Sequence, residues 1–135
     1  VAFTTAKLAP GSYPYVLSYE GNDQVLGFEK TGTLTVKKAT VGLKAVAKVK
    51  PTTLKAGSYA VTVSSPKGLS HATGKVTLTL SKGAKKQTVT VSLKSGTAKV
   101  KVKKLTAGKW KVAVAYSGDT KYASAKAKAT TLTVK

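Results

Sequence analysis

Cysteine, methionine and arginine are all missing from this 135-residue chain, which has only four acids and one histidine. Without thiols there is neither a disulfide framework nor a thiolate metal site. That absence suits the cytosol and secretion equally. Without arginine, the side chain that forks onto guanine and phosphate, sequence-specific recognition of nucleic acid loses its usual instrument. No apolar run approaches the roughly 20 residues of a membrane-spanning helix. An initiating methionine and a basic-then-apolar leader are also missing, so the chain reads as a piece of a longer protein whose signal peptide lies upstream.

What is present in quantity is lysine, 24 residues of it, giving a net charge of +20. Its distribution is uneven. Residues 1–37 hold Lys7, Lys30 and Lys37 against Glu20, Asp23 and Glu29 and sum to zero, whereas residues 38–135 hold the other 21 lysines against Asp119 alone. A field of that strength attracts polyanions and speeds their association, and it fades with salt.

The chain also repeats itself. LAPGSYPYVLSYEGND at 8–23 aligns with LTAGKWKVAVAYSGDT at 105–120 at an offset of 97, rising to 98 after one inserted residue. Leu8 matches Leu105, Gly11 matches Gly108, Tyr13 matches Trp110, Tyr19 matches Tyr116, Gly21 matches Gly118 and Asn22 matches Asp119. Leu34 and Val36 then match Leu132 and Val134, and Phe3 and Thr5 fall opposite Val100 and Val102. A fixed internal period is the mark of a repeated module. Residues 1–37 are therefore read as the last three strands of a truncated copy, and residues 38–135 as a complete one.

Apolar residues alternate with polar ones almost everywhere, the pattern of half-buried strands. Trp110, Val112, Val114 and Tyr116 share one face of their segment, as do Val76, Leu78 and Leu80 in another. The same phase sets Tyr59, Val61 and Val63 inward, with Leu43, Ala45, Ala47 and Val49, then Val89, Val91 and Leu93, then Val100 and Val102, and finally Leu132 and Val134. Turn residues punctuate the runs at KAGS 55–58, SPKG 65–68, KSGT 94–97 and SGDT 117–120. About seven such strands in roughly 97 residues predict an all-β, immunoglobulin-like, Greek-key antiparallel β-sandwich with no helix.

The run LTAGKWKVAVAYSGDTKYASAKAKATTLTV, with TGKVTLTL at 73–80, resembles the bacterial immunoglobulin-like repeats of secreted and surface proteins of Gram-positive bacteria. Leu-x-Ala-Gly, a strand ending Tyr-Ser-Gly-Asp, Tyr-Ala-x-Ser and a closing Leu-Thr-Val carry the resemblance, and Trp110, Tyr116, Gly118 and Asp119 are its structural signature here. It implies a non-catalytic spacer or presentation module of an extracellular or cell-surface protein, in contact with neighbouring domains of its parent. Some adhesin domains of this fold class form a lysine isopeptide, but residues 38–135 offer no Asn, no Glu and one Asp, so acceptor and catalytic acid cannot both be present.

No residue set nominates a catalyst. Asp119 is one carboxylate where acid–base and glycosidic chemistry wants a pair, and aspartate in a turn ordinarily caps backbone N–H groups. His71 sits in a polar connection with no second imidazole or thiol, so no metal site and no cofactor is expected. Ser64-x-x-Lys67 and Lys30-Thr31-Gly32 echo penicillin-recognising enzymes without the helical context those motifs need. Trp110, Tyr116 and Tyr59 fall in the inward phase, while Tyr122 is placed near a surface. The densest basic stretch, Lys99, Lys101, Lys103, Lys104, Lys109 and Lys111 on two successive strands, is the candidate polyanion site, for an anionic cell-wall polymer or non-specific nucleic acid. Residues 1–37 bury too little by themselves, and completion by strands from another chain or from upstream residues is the expected remedy.

Overall fold

The computed structural model describes residues 7–135, and every regular element among them is a strand. The chain divides into two compact units after Lys38. The strand anticipated around Phe3 and Thr5 lies outside the described residues.

The first unit is an antiparallel hairpin of β1 (Gly11–Gly21) and β2 (Leu26–Val36), paired from Gly11↔Val36 to Gly21↔Leu26. Its turn is closed by Asn22, whose Oδ1 accepts the backbone N–H groups of Gln24 at 3.0 Å and Val25 at 2.8 Å. Gly21 enters the turn at φ +90, where any Cβ would meet Gly27 N at 2.6 Å. Residues directly opposite in such a ladder share a face. Tyr13 with Leu34, Tyr15 with Gly32 and Tyr19 with Phe28 therefore line one side, and Ser12 with Thr35 and Ser18 with Glu29 the other. The Tyr15 ring lies across Gly32, filling the space a side chain there would need. Tyr19 and Phe28 pack as a tilted aromatic pair, centroids 5.9 Å apart.

The second unit contains β3 (Gly42–Val49), β4 (Gly57–Ser64), β5 (Lys75–Lys82), β6 (Lys85–Ser92), β7 (Thr97–Val102), β8 (Gly108–Tyr116), β9 (Ala125–Lys126) and β10 (Thr130–Val134). They form two antiparallel sheets, β3-β4-β7 and β10-β8-β5-β6, with β9 also paired to β8. The chain crosses between sheets after β4, β6 and β7, so that β7 returns beside β4 in Greek-key fashion. Inward residues of both sheets make one core, in which Val61, Val76, Leu78, Leu80 and Val100 are sealed from solvent. Each such side chain contributes on the order of 1.5–3 kcal/mol by leaving water. The β6 to β7 crossing uses a two-residue turn with Ser95 at φ 47 and Gly96 at φ 74, the left-handed pair that a tight hairpin turn requires.

Two details depart from simple alternation. A bulge in β3 sets two residues, Lys48 and Val49, against Ser58 alone, which turns Val49 out of the inward phase and leaves it exposed. Short β9 was not legible, because two residues carry no period; it pairs Ala125 and Lys126 with Tyr116 and Ala115.

The repeat seen in the sequence has a structural counterpart. β8 and β10 pair Gly108↔Val134, Trp110↔Leu132 and Val112↔Thr130, and β1 and β2 pair Gly11↔Val36, Tyr13↔Leu34 and Tyr15↔Gly32. At offsets of 97 and 98 these are the same pairs.

Candidate functional site

Polar side chains converge on the turn after β8. Ser117 N donates to Lys75 O at 3.0 Å, and Ser117 Oγ accepts from Lys75 N at 3.1 Å, stitching the turn to the start of β5. Gly118 follows at φ +77, and a Cβ there would meet Tyr122 O and Ser124 N at 2.9 Å. Glycine is therefore required both by conformation and by space.

Asp119 then uses both carboxylate oxygens. Oδ1 accepts the backbone N–H groups of Lys121 and Tyr122 at 2.8 Å each, the same turn that Asn22 makes in the hairpin. Oδ2 accepts from Thr73 N and Thr73 Oγ1 at 2.9 Å each, tying the turn to the strand entry 46 residues away. Burial alone would raise this carboxyl, but the donors from Thr73, Tyr122 and Lys121 outweigh it and hold Asp119 well below the usual carboxylate range. A general acid or base works best with a pKa near the operating pH. This carboxylate is a fastener instead. Beside it, burial first and the Asp119 charge second push the Tyr116 hydroxyl up to about 12.

Tyr122 requires a correction. The sequence sets it near a surface, whereas in the fold it is fully buried, with its hydroxyl donating to Ser70 O. Its segment is drawn in because Ala39 lies alongside it, with Ala39 N donating to Lys121 O and Ala123 N to Ala39 O, both at 2.9 Å. Trp110 is buried in the core, and its Nε1 donates to Thr106 O at 2.8 Å. Tyr59 and Tyr116 are core residues too. No aromatic of the second unit forms an open stacking platform. His71 is exposed, and no group of three metal-ligating side chains occurs among the described residues.

The basic stretch is divided by the fold. β7 and β8 are successive in the chain but belong to different sheets, so Lys99 and Lys101 point outward from one side of the sandwich and Lys109 and Lys111 from the other. Lys103 and Lys104, in the connection between them, meet further cations. With Lys85 and Lys86 at the start of β6 they border a shallow groove of about 550 Å³ whose floor includes Leu105 and Trp110. Sequence reasoning missed Lys85 and Lys86 because they approach Lys103 and Lys104 across the sandwich edge, where β6 and β7 lie side by side, not along a strand.

A three-stranded sheet facing a five-stranded one, joined by Greek-key crossings around an aromatic and aliphatic core, defines the class as an immunoglobulin-like β-sandwich. Residues 48–135 match the bacterial Ig-like domain (group 3), and the chain belongs to that family. No curated protein matches it.

Proposed function

We propose that the chain is a non-catalytic immunoglobulin-like module that spaces or presents the working part of a larger extracellular or cell-surface protein. The observation that carries this is the structural repeat: the hairpin reproduces the pairing of β8 with β10, as neighbouring members of a tandem array do. Asp119, the single acid of its unit, is consumed in holding a turn, which leaves no carboxylate for chemistry. The test is replacement, within the parent protein, of residues 39–135 by an unrelated sandwich of similar length. Parent activity should stay within about twofold, and intact cells should display the module to an antibody before permeabilisation. A tenfold loss of activity, or labelling only after permeabilisation, would count against this role.

The lysine-bordered groove supports a second reading, attachment of the parent to an anionic polymer. Twenty lysines face one carboxylate in residues 39–135. Contacts from several lysines to phosphate would make log affinity fall linearly with log salt, by roughly 0.9 per duplex phosphate or 0.7 per single-strand phosphate. Changing Lys85, Lys86, Lys103 and Lys104 to Gln should then weaken polyphosphate binding far more than changing Lys44, Lys99, Lys109 and Lys111. Equal losses would mean a diffuse field without a site.

A further inference from the structure

Strand β6 breaks its own pattern at one position. Gln87 stands opposite Leu80 in the ladder, so it shares the core-facing side with Val89 and Val91, which oppose Leu78 and Val76, while Thr88 and Thr90 take the outer side. It is the only side-chain amide in residues 39–135. Its Oε1 is buried and has no hydrogen-bond partner among the described residues. A buried acceptor left unpaired is costly and calls for an explanation. Gln87 also lines the groove that Lys85, Lys86, Lys103 and Lys104 border.

We propose that this groove takes a polyol phosphate, a chain in which phosphates alternate with hydroxyl-bearing carbons, and that Gln87 Oε1 accepts from one of its hydroxyls. The proposal rests on the groove's binding an anionic polymer and adds what lies between the charges. Each lysine ammonium is a compact charge with donors only, so the four hold phosphate in many geometries and distinguish one polyanion from another poorly. Val89, Leu105 and Trp110 supply an apolar wall, which suits the CH groups of a polyol and has no counterpart in inorganic polyphosphate.

A ligand hydroxyl accepts readily from lysine, but its own proton needs an acceptor. Thr106 O, at the same groove, already accepts from Trp110 Nε1. Gln87 Oε1 has no such claim on it. The last torsion of a glutamine side chain is broad, so the amide can turn this atom toward the groove while β6 keeps its register. Nucleic acid offers similar charge but fits the rest less well. A base stacks on an open aromatic face, and Trp110, the aromatic of this groove, is only 3% exposed.

The experiment titrates the full chain, at one low salt concentration, with poly(glycerol phosphate), the same polymer with its hydroxyls methylated, and inorganic polyphosphate, all of equal phosphate number. The hydroxyl form should bind about three- to tenfold more tightly than the methylated form, the range that one net hydrogen bond supplies. Gln87→Leu keeps the size of the side chain and removes the unpaired acceptor, so the urea midpoint should not fall. It should weaken the hydroxyl form by that same factor, until the two forms bind alike, and leave polyphosphate unchanged. Changing Lys85, Lys86, Lys103 and Lys104 together to Gln should weaken all three polymers by about tenfold or more. If the unmutated chain binds both forms alike, or Gln87→Leu lowers all three polymers equally or none, the polyol assignment fails while the groove still holds phosphate. If the lysine changes leave all three untouched, the groove itself is not the site. Tighter binding of single-stranded DNA of equal phosphate number than of poly(glycerol phosphate) would overturn the polyol assignment as well.

Discussion

β1–β2 and β8–β10 are one local structure in two environments. They share register, a glycine at positive φ ahead of the turn, and a side-chain oxygen that accepts the N–H groups two and three residues on, from Asn22 in one and Asp119 in the other. Burial separates them. Tyr15 is 52% exposed where Val112 is 4%, and Tyr19 is 38% exposed where Tyr116 is 2%. Pairing and turn are thus encoded within about 30 residues, whereas the energy that makes a sandwich comes from strands 30 to 70 residues away. A two-stranded hairpin is marginal in water whatever its pairing, because its apolar side stays wet.

The most severe test of that contrast is truncation at matched positions. Trp110→Ala removes a core aromatic and should cost the second unit about 3–5 kcal/mol, read as a lower urea midpoint by circular dichroism. Tyr13→Ala, at the equivalent place in the hairpin, should leave that midpoint within about 0.5 kcal/mol. Comparable losses would mean that the hairpin is part of the same cooperative core. In the unmutated chain Trp110 should emit as a buried indole, and a water-exposed spectrum would overturn the strand phase itself.

Next in size is the turn glycine. Gly118→Ala forces a side chain into a left-handed conformation and against Tyr122 O and Ser124 N, and should cost about 2–3 kcal/mol by the same midpoint. Gly21→Ala imposes similar strain on the hairpin turn, where it should speed amide exchange across β1–β2 without moving the second unit. A shift of the second unit's midpoint by Gly21→Ala would show that the two turns are coupled.

The parts of the fold that follow from alternation were legible in the residues themselves. Val76, Leu78 and Leu80 repeat at two and are sealed in the core, and Trp110 to Tyr116 do the same. Alternation failed where geometry is set from a distance. It carries Val49 inward because a bulge leaves no trace in a period, and Tyr122, in a segment without a period, is expected near a surface because the contact with Ala39 that buries it spans more than 80 residues. The candidate site suffered most from this. Lys99 to Lys111 look continuous along the chain, but the crossing from β7 to β8 sends them to opposite faces, and the groove that does gather cations takes half of them from β6. The Asp119 turn was readable from its Ser-Gly-Asp residues, but its second anchor at Thr73 was not.

That second anchor provides the finest distinction between the copies. Asn22 closes the hairpin turn with a neutral amide, so Asp119→Asn should keep the Oδ1 half of the turn and lose the acceptor that faces Thr73, costing about 1.5 kcal/mol at pH 7. The pH dependence separates the two halves. Asp119 in the folded unit ionises well below its ordinary value of 3.8, so as pH falls through about 4 the unfolded chain takes up the proton first. Its contribution is complete above that range and fades toward the lower folded value. Asp119 is also the only side-chain carboxylate in residues 39–135, which assigns the acid limb of that unit to a single side chain. Urea midpoints followed from pH 6 to pH 2 should therefore fall for the unmutated chain, stay nearly level for Asp119→Asn, and draw closer together toward the acid end. Parallel curves would place the stabilisation in the turn alone, and the bond to Thr73 would then add nothing that Asn22 lacks.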